Sequence, residues 1–286
     1  MEYAKTILLV CLAVVAVAFA AIFVRDLLRP RDASVRPTPY ELLVGVVTDF
    51  FDALGIGSFA TTTSFYRARK TIDDRLLPGT LNVGHTIPTF AQALIFTQKI
   101  EVDVKTLIAM IVAAVVGALL GANVVSRWPR QRIQFGMGVA LLAICVVIVY
   151  RQIANTAGGD AIGLSGGLLA IGLTVNFVLG ALRTIGIGLY APCLVLVSLL
   201  GMNVDTAFPI MMCSCAFLMP LASIPFIRQG SYAPGAALGL TLAGLPAVLV
   251  AAFLVESLPL YWLKWLVAAV VVYTGVMLIR ASQRRT

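Results

Sequence analysis

Four ionisable residues stand inside otherwise apolar stretches of this chain: Asp49, Asp52, His85 and Arg183. A charge in such a setting is costly unless it is paired or at work, which makes these four the first candidates for chemistry. Asp49 precedes Asp52 by three residues and shares its helical face, so the two carboxylates suit proton acceptance or the release of a partner cation. Arg183 suits the holding of an anion. His85 is the only histidine; imidazole is the side chain suited to proton relay near neutral pH, the alternative being a packed ring bonded to a neighbouring hydroxyl or carbonyl. Asn82, one turn earlier, adds a polar group at similar depth.

Bond-making chemistry is not expected. The chain has no His-Glu-x-x-His, Gly-x-Ser-x-Gly or Walker sequence, and Asp73-Asp74 is an isolated pair that balances Arg67, Arg69, Lys70 and Arg75 in a basic loop. The cysteines, Cys11, Cys145, Cys193, Cys213 and Cys215, all lie in apolar segments and read as reduced and structural. Cys213-x-Cys215 lacks a second ligand pair, and alternate helical positions diverge, so neither a metal nor another cofactor is expected.

The elements that position these residues follow from composition. With 60% hydrophobic and 12% charged residues and a mean hydropathy of +0.98, the chain belongs in a bilayer. Uncharged runs at 6–24, 76–98, 106–126, 133–150, 161–182, 184–204, 206–227 and 229–255 approach or exceed the length that spans hydrocarbon as helix. A last run, 265–279, extends to Leu260 if Lys264 snorkels. No linker is long enough for a soluble domain. Ala18-Phe19-Ala20 resembles a signal-cleavage site, but the apolar run continues to Val24, which favours a retained helix. The net charge of +8 by itself says little about the substrate, since cytoplasmic loops collect Lys and Arg. Nucleic acid is not an expected partner, because the basic residues are scattered without aromatic interleaving.

An internal repeat organises the runs. Asp52-Ala53-Leu54-Gly55-Ile56-Gly57 recurs 131 residues later as Arg183-Thr184-Ile185-Gly186-Ile187-Gly188. The same offset sets Asp74 on Asp205, Pro78 on Pro209 and Gln98 on Gln229, one ungapped register over 52–98 that argues for duplication. The organisation expected is an N-terminal transmembrane helix with a basic linker (1–39), a first transmembrane repeat (40–155) and a second (160–280).

Loop charges choose the topology. If the chain turns back at each Gly-Ile-Gly, the basic clusters at 25–36, 67–75, 127–132 and 280–285, with Arg228, share one side, fifteen Lys/Arg against five. If the glycines only kink a helix, the division is eleven against nine. The positive-inside rule favours the turn-back, an odd number of crossings per repeat, inverted halves and a cytoplasmic C-terminus. A reporter fusion that placed the 67–75 loop outside would sink this reading.

A turn-back leaves half helices whose first amides lack intrahelical partners, and helix starts attract anions. An anion cradle is therefore expected where Gly55, Gly57, Thr61 and Thr62 face Gly186, Gly188 and Cys193. The hydroxyls of Thr61 to Ser64 either meet anion oxygens or satisfy their own helix carbonyls. Asp52 and Arg183, equivalent in the repeat, either neutralise each other as a structural pair or divide the work. In the second case Arg183 meets the anion, and Asp52, with Asp49 or His85, handles a proton or gates the site.

The paired turns Gly55-Ile56-Gly57 and Gly186-Ile187-Gly188, the second followed by Ala191-Pro192-Cys193-Leu194, resemble the duplicated motif of the sulfite exporter TauE/SafE family over residues 40–280. Where the family commonly has a glycine run and a proline after both breaks, this chain has Gly-Ile-Gly and, after the first break, Thr61 or Thr62. The resemblance implies a plasma-membrane permease for small sulfur-containing anions such as sulfite or organosulfonates. The expected protein is an all-helical, multi-pass secondary transporter in the lipid bilayer, with a small anionic substrate and coupling to the proton gradient. A homodimer is compatible with this; a passive anion channel and a non-transporting scaffold are the alternatives.

Overall fold

The computed structural model describes residues 2–30, 35–125, 129–153, 159–184 and 188–283, and these form eleven α-helices. Six helical segments are long and apolar enough to cross a membrane: Tyr3–Leu27, Val104–Gly121, Gly166–Arg183, Val204–Gln229, Pro234–Val255 and Tyr261–Gln283. The chain is a multi-pass membrane protein. Three expected spans differ. α4 (Leu77–Lys99), 23 residues long, is not among the six because it carries Asn82, His85, Gln92 and several threonines; the 133–150 run contributes only the shorter apolar stretch Gln131–Val146; and the 184–204 run holds the ten-residue α8 (Tyr190–Leu199).

At the first glycine break the chain reverses. α2 (Pro39–Ala53) opens with a capping box in which Thr38 accepts from Glu41 N–H and Glu41 accepts from Thr38 N–H. It closes in a Schellman motif: Gly55 N–H donates to Asp52 O at 2.8 Å and Ile56 N–H to Phe51 O at 3.1 Å, with Gly55 at φ 92°. Gly57, at φ 87°, then leads into α3 (Ser58–Arg69). The two glycines thus have separate tasks, one ending a helix and one starting the next, each at a φ that L side chains rarely adopt. α3 runs back along α2, since Tyr40 Oη donates to Phe65 O at 2.7 Å and Arg69 lies 4.3 Å over the Tyr40 ring. At 15 and 12 residues the arms are about 22 and 18 Å long, short of the roughly 30 Å hydrocarbon core.

The helices fall into two compact units, Met1–Lys99 with Cys215–Glu256, and Ile100–Ser214 with Ser257–Thr286. In the first, α1 (Glu2–Leu27) packs on α4 through a stripe at Leu8, Leu12, Phe19 and Phe23 and leaves Ile7, Val10, Val14 and Val17 exposed. α10 (Pro234–Ser257) lies against α2 and α4. A Cβ on Gly45 would stand 2.9 Å from Gly239 O, so glycine sets this close approach of α2 to α10. On α4, Pro88 cannot supply the N–H that Gly84 O would receive, and Thr241 Oγ1 of α10 donates to that carbonyl at 2.8 Å instead. The C-terminal part of α9 (Ala207–Gln229) runs antiparallel to α4, with Thr86 bonded to Ser223 at 3.2 Å and Thr89 to Met219 at 3.4 Å.

In the second unit, α5 (Val104–Val125) and α7 (Gly166–Arg183) meet backbone to backbone. A Cβ on Gly117 would lie 1.9 Å from Phe177 O and one on Gly180 2.0 Å from Ala114 O, while Asn176 Nδ2 donates to Met110 O at 2.7 Å. α8 returns towards the start of α7, where Asn203 N–H donates to Ala161 O at 2.8 Å. α6 (Arg130–Ile153) and α11 (Leu260–Gln283) run antiparallel, Gly138 against Gly275 and Ile279, and Cys145 against Ala268.

The offset of 131 also relates the bounds of several elements. Shifted by 131, the bounds of α4 become 208 and 230 against Ala207 and Gln229 for α9, and those of α6 become 261 and 284 against Leu260 and Gln283 for α11. Even a helix end repeats: Lys70 at φ 52° closes α3, and Gly201 at φ 80°, 131 residues later, closes α8. Each unit is assembled from early and late parts of the chain, α10 standing with α2 and α5 with α7.

Candidate functional site

Six polar residues converge at the tip of the first hairpin, all within the first unit: Asp49, Asp52, Ser58, Thr62, His85 and Gln92. Each is at most 3% exposed, a depth at which a polar side chain is expected to be hydrogen-bonded. α2 presents the two carboxylates one turn apart, and α4 presents His85 and Gln92 two turns apart on one face. Between them lies the first turn of α3.

Asp52 does not leave the start of α3 open. Its Oδ1 accepts from Ser58 N–H at 2.5 Å and its Oδ2 from Gln92 Nε2 at 2.9 Å. The place at which an anion was expected is therefore held by the protein's own carboxylate, which caps a helix that has no other side-chain cap at Gly57. The neighbouring hydroxyls are also engaged: Thr61 and Thr62 donate to Ser58 O at 2.7 and 2.8 Å, Thr63 to Phe59 O at 2.7 Å and Ser64 to Ala60 O at 2.8 Å. These bonds are the conservative alternative for the hydroxyl run, because a proton given to a carbonyl is not available to an anion.

Asp49 and His85 form a second pair, His85 Nδ1 lying 2.8 Å from Asp49 Oδ1. On the other side of the ring, Nε2 lies 3.0 Å from Thr62 Oγ1, and Phe59 covers the ring at a centroid distance of 6.1 Å. The proton count here is informative. Thr62 has one proton and two acceptors in reach, Ser58 O and a neutral Nε2, whereas a protonated ring donates to Thr62 and leaves that proton on Ser58 O. The direction of the Thr62 hydroxyl therefore follows the charge of His85. Through Ser58, whose carbonyl meets Thr62 and whose N–H meets Asp52, the two pairs join into one chain from Asp49 to Gln92.

The second oxygen of Asp49 has no hydrogen-bond partner among the described residues. It points at α10, where a Cβ on Gly244 would stand 2.1 Å from it. Glycine at 244 makes the room for this carboxylate.

Asn82 Nδ2 donates to Pro78 O at 2.8 Å, within its own helix. Arg183, half-buried, ends α7 in the second unit. Gly188 is exposed, and a Cβ there would meet nothing within 4 Å, whereas Cys193 is fully buried in α8. Gly186, with Ile185 and Ile187, lies outside the described residues, as do Arg31, Arg127, Arg284 and Arg285 among the counted cations. Gln92 was not singled out from sequence, although its place seven residues after His85 puts it on the same helical face. At the offset of 131, Asp49, Asp52, Thr62, His85 and Gln92 correspond to Gly180, Arg183, Cys193, Ala216 and Ser223, so the acidic cluster has no copy at those positions.

A family model described as Sulfite exporter TauE/SafE matches residues 2–150, just over half of the chain. The match takes in α1, which the motif resemblance left outside, and stops within α6. No curated protein and no solved structure matches the chain.

Proposed function

Since the chain belongs to the sulfite exporter TauE/SafE family, a family of membrane transporters, we propose that it is a secondary transporter that moves a small anion, sulfite or an organosulfonate, together with a proton across the plasma membrane. The observation that carries the coupling is the occupation of the α3 start by Asp52. A substrate anion that takes Ser58 N–H must displace a carboxylate, and a charge-assisted bond is roughly twice as strong as a neutral one. Protonating Asp52 weakens its hold, so proton entry and anion entry favour each other. A proton shared between Asp49 and His85 turns the Thr62 hydroxyl towards Ser58 O and so bears on the α3 start that Asp52 caps, without itself passing to Asp52. Arg183, at the equivalent place in the second repeat, supplies the positive charge for the substrate, with Gly188, Cys193 and Asn82 as further candidate contacts.

Inverted halves are part of this proposal. α4 and α9 are repeat counterparts and run antiparallel, as do α6 and α11, which is the relation an inverted duplication produces. Sidedness has support as well. Within the first unit, Arg69 stacks on Tyr40, and Tyr232 Oη donates to Asp26 at 2.5 Å, so the basic segments after α1, after α3 and after α9 share one end. By the positive-inside rule that end is cytoplasmic, together with the C-terminus.

Proteoliposomes assayed with sulfite, an organosulfonate, phosphate and chloride, with and without a proton gradient, test the function. Gradient-driven accumulation of the sulfur oxyanions is expected. Flux that ignores the gradient would make the protein a passive channel, and no flux of any anion would make it a scaffold; either result overturns the proposal.

A further inference from the structure

Outside the polar cluster, the second unit carries a groove on the α5–α7 pair with a volume of about 590 Å³. Lys105, in the first turn of α5, stands at one end. From there the wall continues along α5 through Ala109 and Ala113 to Val116, and Leu173 and Phe177 of α7 form the other side. The helix pair creates the furrow: the glycine contacts at 117 and 180 draw the backbones together, and two alanines on α5 leave depth beside them. From Lys105 to Val116 the groove is about 16 Å long, close to half of the ~30 Å hydrocarbon thickness. That is the depth of one leaflet.

Charge is distributed along it as along a lipid. The only charged side chain lining it is Lys105, which is exposed and forms no salt bridge among the described residues. The acid two residues away, Asp103, is committed to the start of α5, where its Oδ1 accepts from Thr106 N–H at 2.9 Å and Thr106 Oγ1 at 2.8 Å. An ammonium at the leaflet surface and an apolar furrow one leaflet deep match a phosphate head group and an acyl chain. We infer that the α5–α7 groove is a binding site for one anionic glycerophospholipid, its head group on Lys105 and one chain along Ala109, Ala113 and Val116. The orientation proposed above places this lipid in the non-cytoplasmic leaflet. A helix from a second copy of the chain is the competing occupant, which the dimer readout below separates from a lipid.

The test uses full-length protein, purified in mild detergent, delipidated and titrated with phosphatidylglycerol and phosphatidylcholine of equal chain length under native mass spectrometry. Preferential retention of phosphatidylglycerol is expected. Lys105→Gln should reduce that retention about fivefold, the effect of one basic residue near an anionic surface, and Lys105→Arg should keep it. Ala113→Leu, which fills the furrow, should lower retention of both lipids. Equal retention of the two lipids by the wild type, or unchanged phosphatidylglycerol retention in Lys105→Gln, overturns the site. A dimer lost in Ala113→Leu with lipid retention unchanged assigns the face to a second copy and overturns it too. Should Ala113→Leu fail to fold, the two Lys105 variants still decide.

Discussion

Gly244→Ala is the most informative single change, because it adds one methyl group at the unpartnered oxygen of Asp49. The new Cβ would stand 2.1 Å from Oδ2, 2.6 Å from Cγ and 3.1 Å from Cβ of Asp49. Ordinary contact needs about 3.5 Å, so the carboxylate must move by more than about 1 Å. The helices cannot easily part to accommodate this, since α2 and α10 already touch backbone to backbone at Gly45 and Gly239. Rotating the carboxylate instead draws Oδ1 away from His85 Nδ1, now at 2.8 Å, beyond hydrogen-bond range. Loss of a charged buried hydrogen bond costs about 1.5–3 kcal/mol, and overpacking adds about 1–3 kcal/mol. On a scale of about 2–4 °C per kcal/mol, thermal unfolding in detergent should fall by roughly 10 °C. Gly136→Ala, where a Cβ meets nothing within 4 Å, is the control and should unfold within about 2 °C of the wild type. The pH profile of anion flux should also change in Gly244→Ala, since His85 loses its carboxylate. If Gly244→Ala unfolds like the wild type and keeps its pH profile, Asp49 is not held as described and its place in the pH dependence is refuted.

Thr241→Val should lower unfolding stability by about 1 kcal/mol, and Pro88→Ala in the same chain should recover most of that by returning an N–H to Gly84 O; an unaltered Thr241→Val protein contradicts the assignment. Arg183→Ala should abolish anion uptake into proteoliposomes, whereas Asp52→Asn should still fold and lose the pH dependence of uptake. If Arg183→Ala transports normally while Asp52→Asn unfolds, the two residues serve structure alone. Gly180→Ala places a methyl group 2.0 Å from a backbone oxygen and should sharply reduce the yield of folded protein, while Gly188→Ala, with open space around it, should leave yield unchanged.

The reversal at the first Gly-Ile-Gly was legible because it rests on a local rule, loop charges counted along the chain. Asp49, Asp52 and His85 stood out for a related reason, that charge in apolar sequence is expensive. Their partners were less visible. Ser58 donates to Asp52 through its backbone, which no residue type announces. Gln92 passed for an ordinary polar residue on a helix whose polarity also removes it from the apolar spans. Gly244 and Thr241 come close to Asp49 and Gly84 across 195 and 157 residues of chain, and glycine in a membrane helix has many uses. The open anion cradle followed correctly from helix-end electrostatics, but the same electrostatics attract a nearby carboxylate first.

The pairing of α2 with α10 and of α5 with α7 bears on how the protein is made. Asp49 is synthesised 195 residues before Gly244, which at about 5–20 residues per second is an interval of about 10–40 s. Throughout that time α2 has entered or approached the bilayer without the helix that accommodates its carboxylate, and α5 waits a shorter time for the backbone of α7. Neither unit can therefore be completed as the ribosome passes it, and a chain cut after α6 lacks parts of both. The nascent first half must be sheltered by the insertion machinery or held loosely until α10 arrives, so folding of the whole is timed by its later helices.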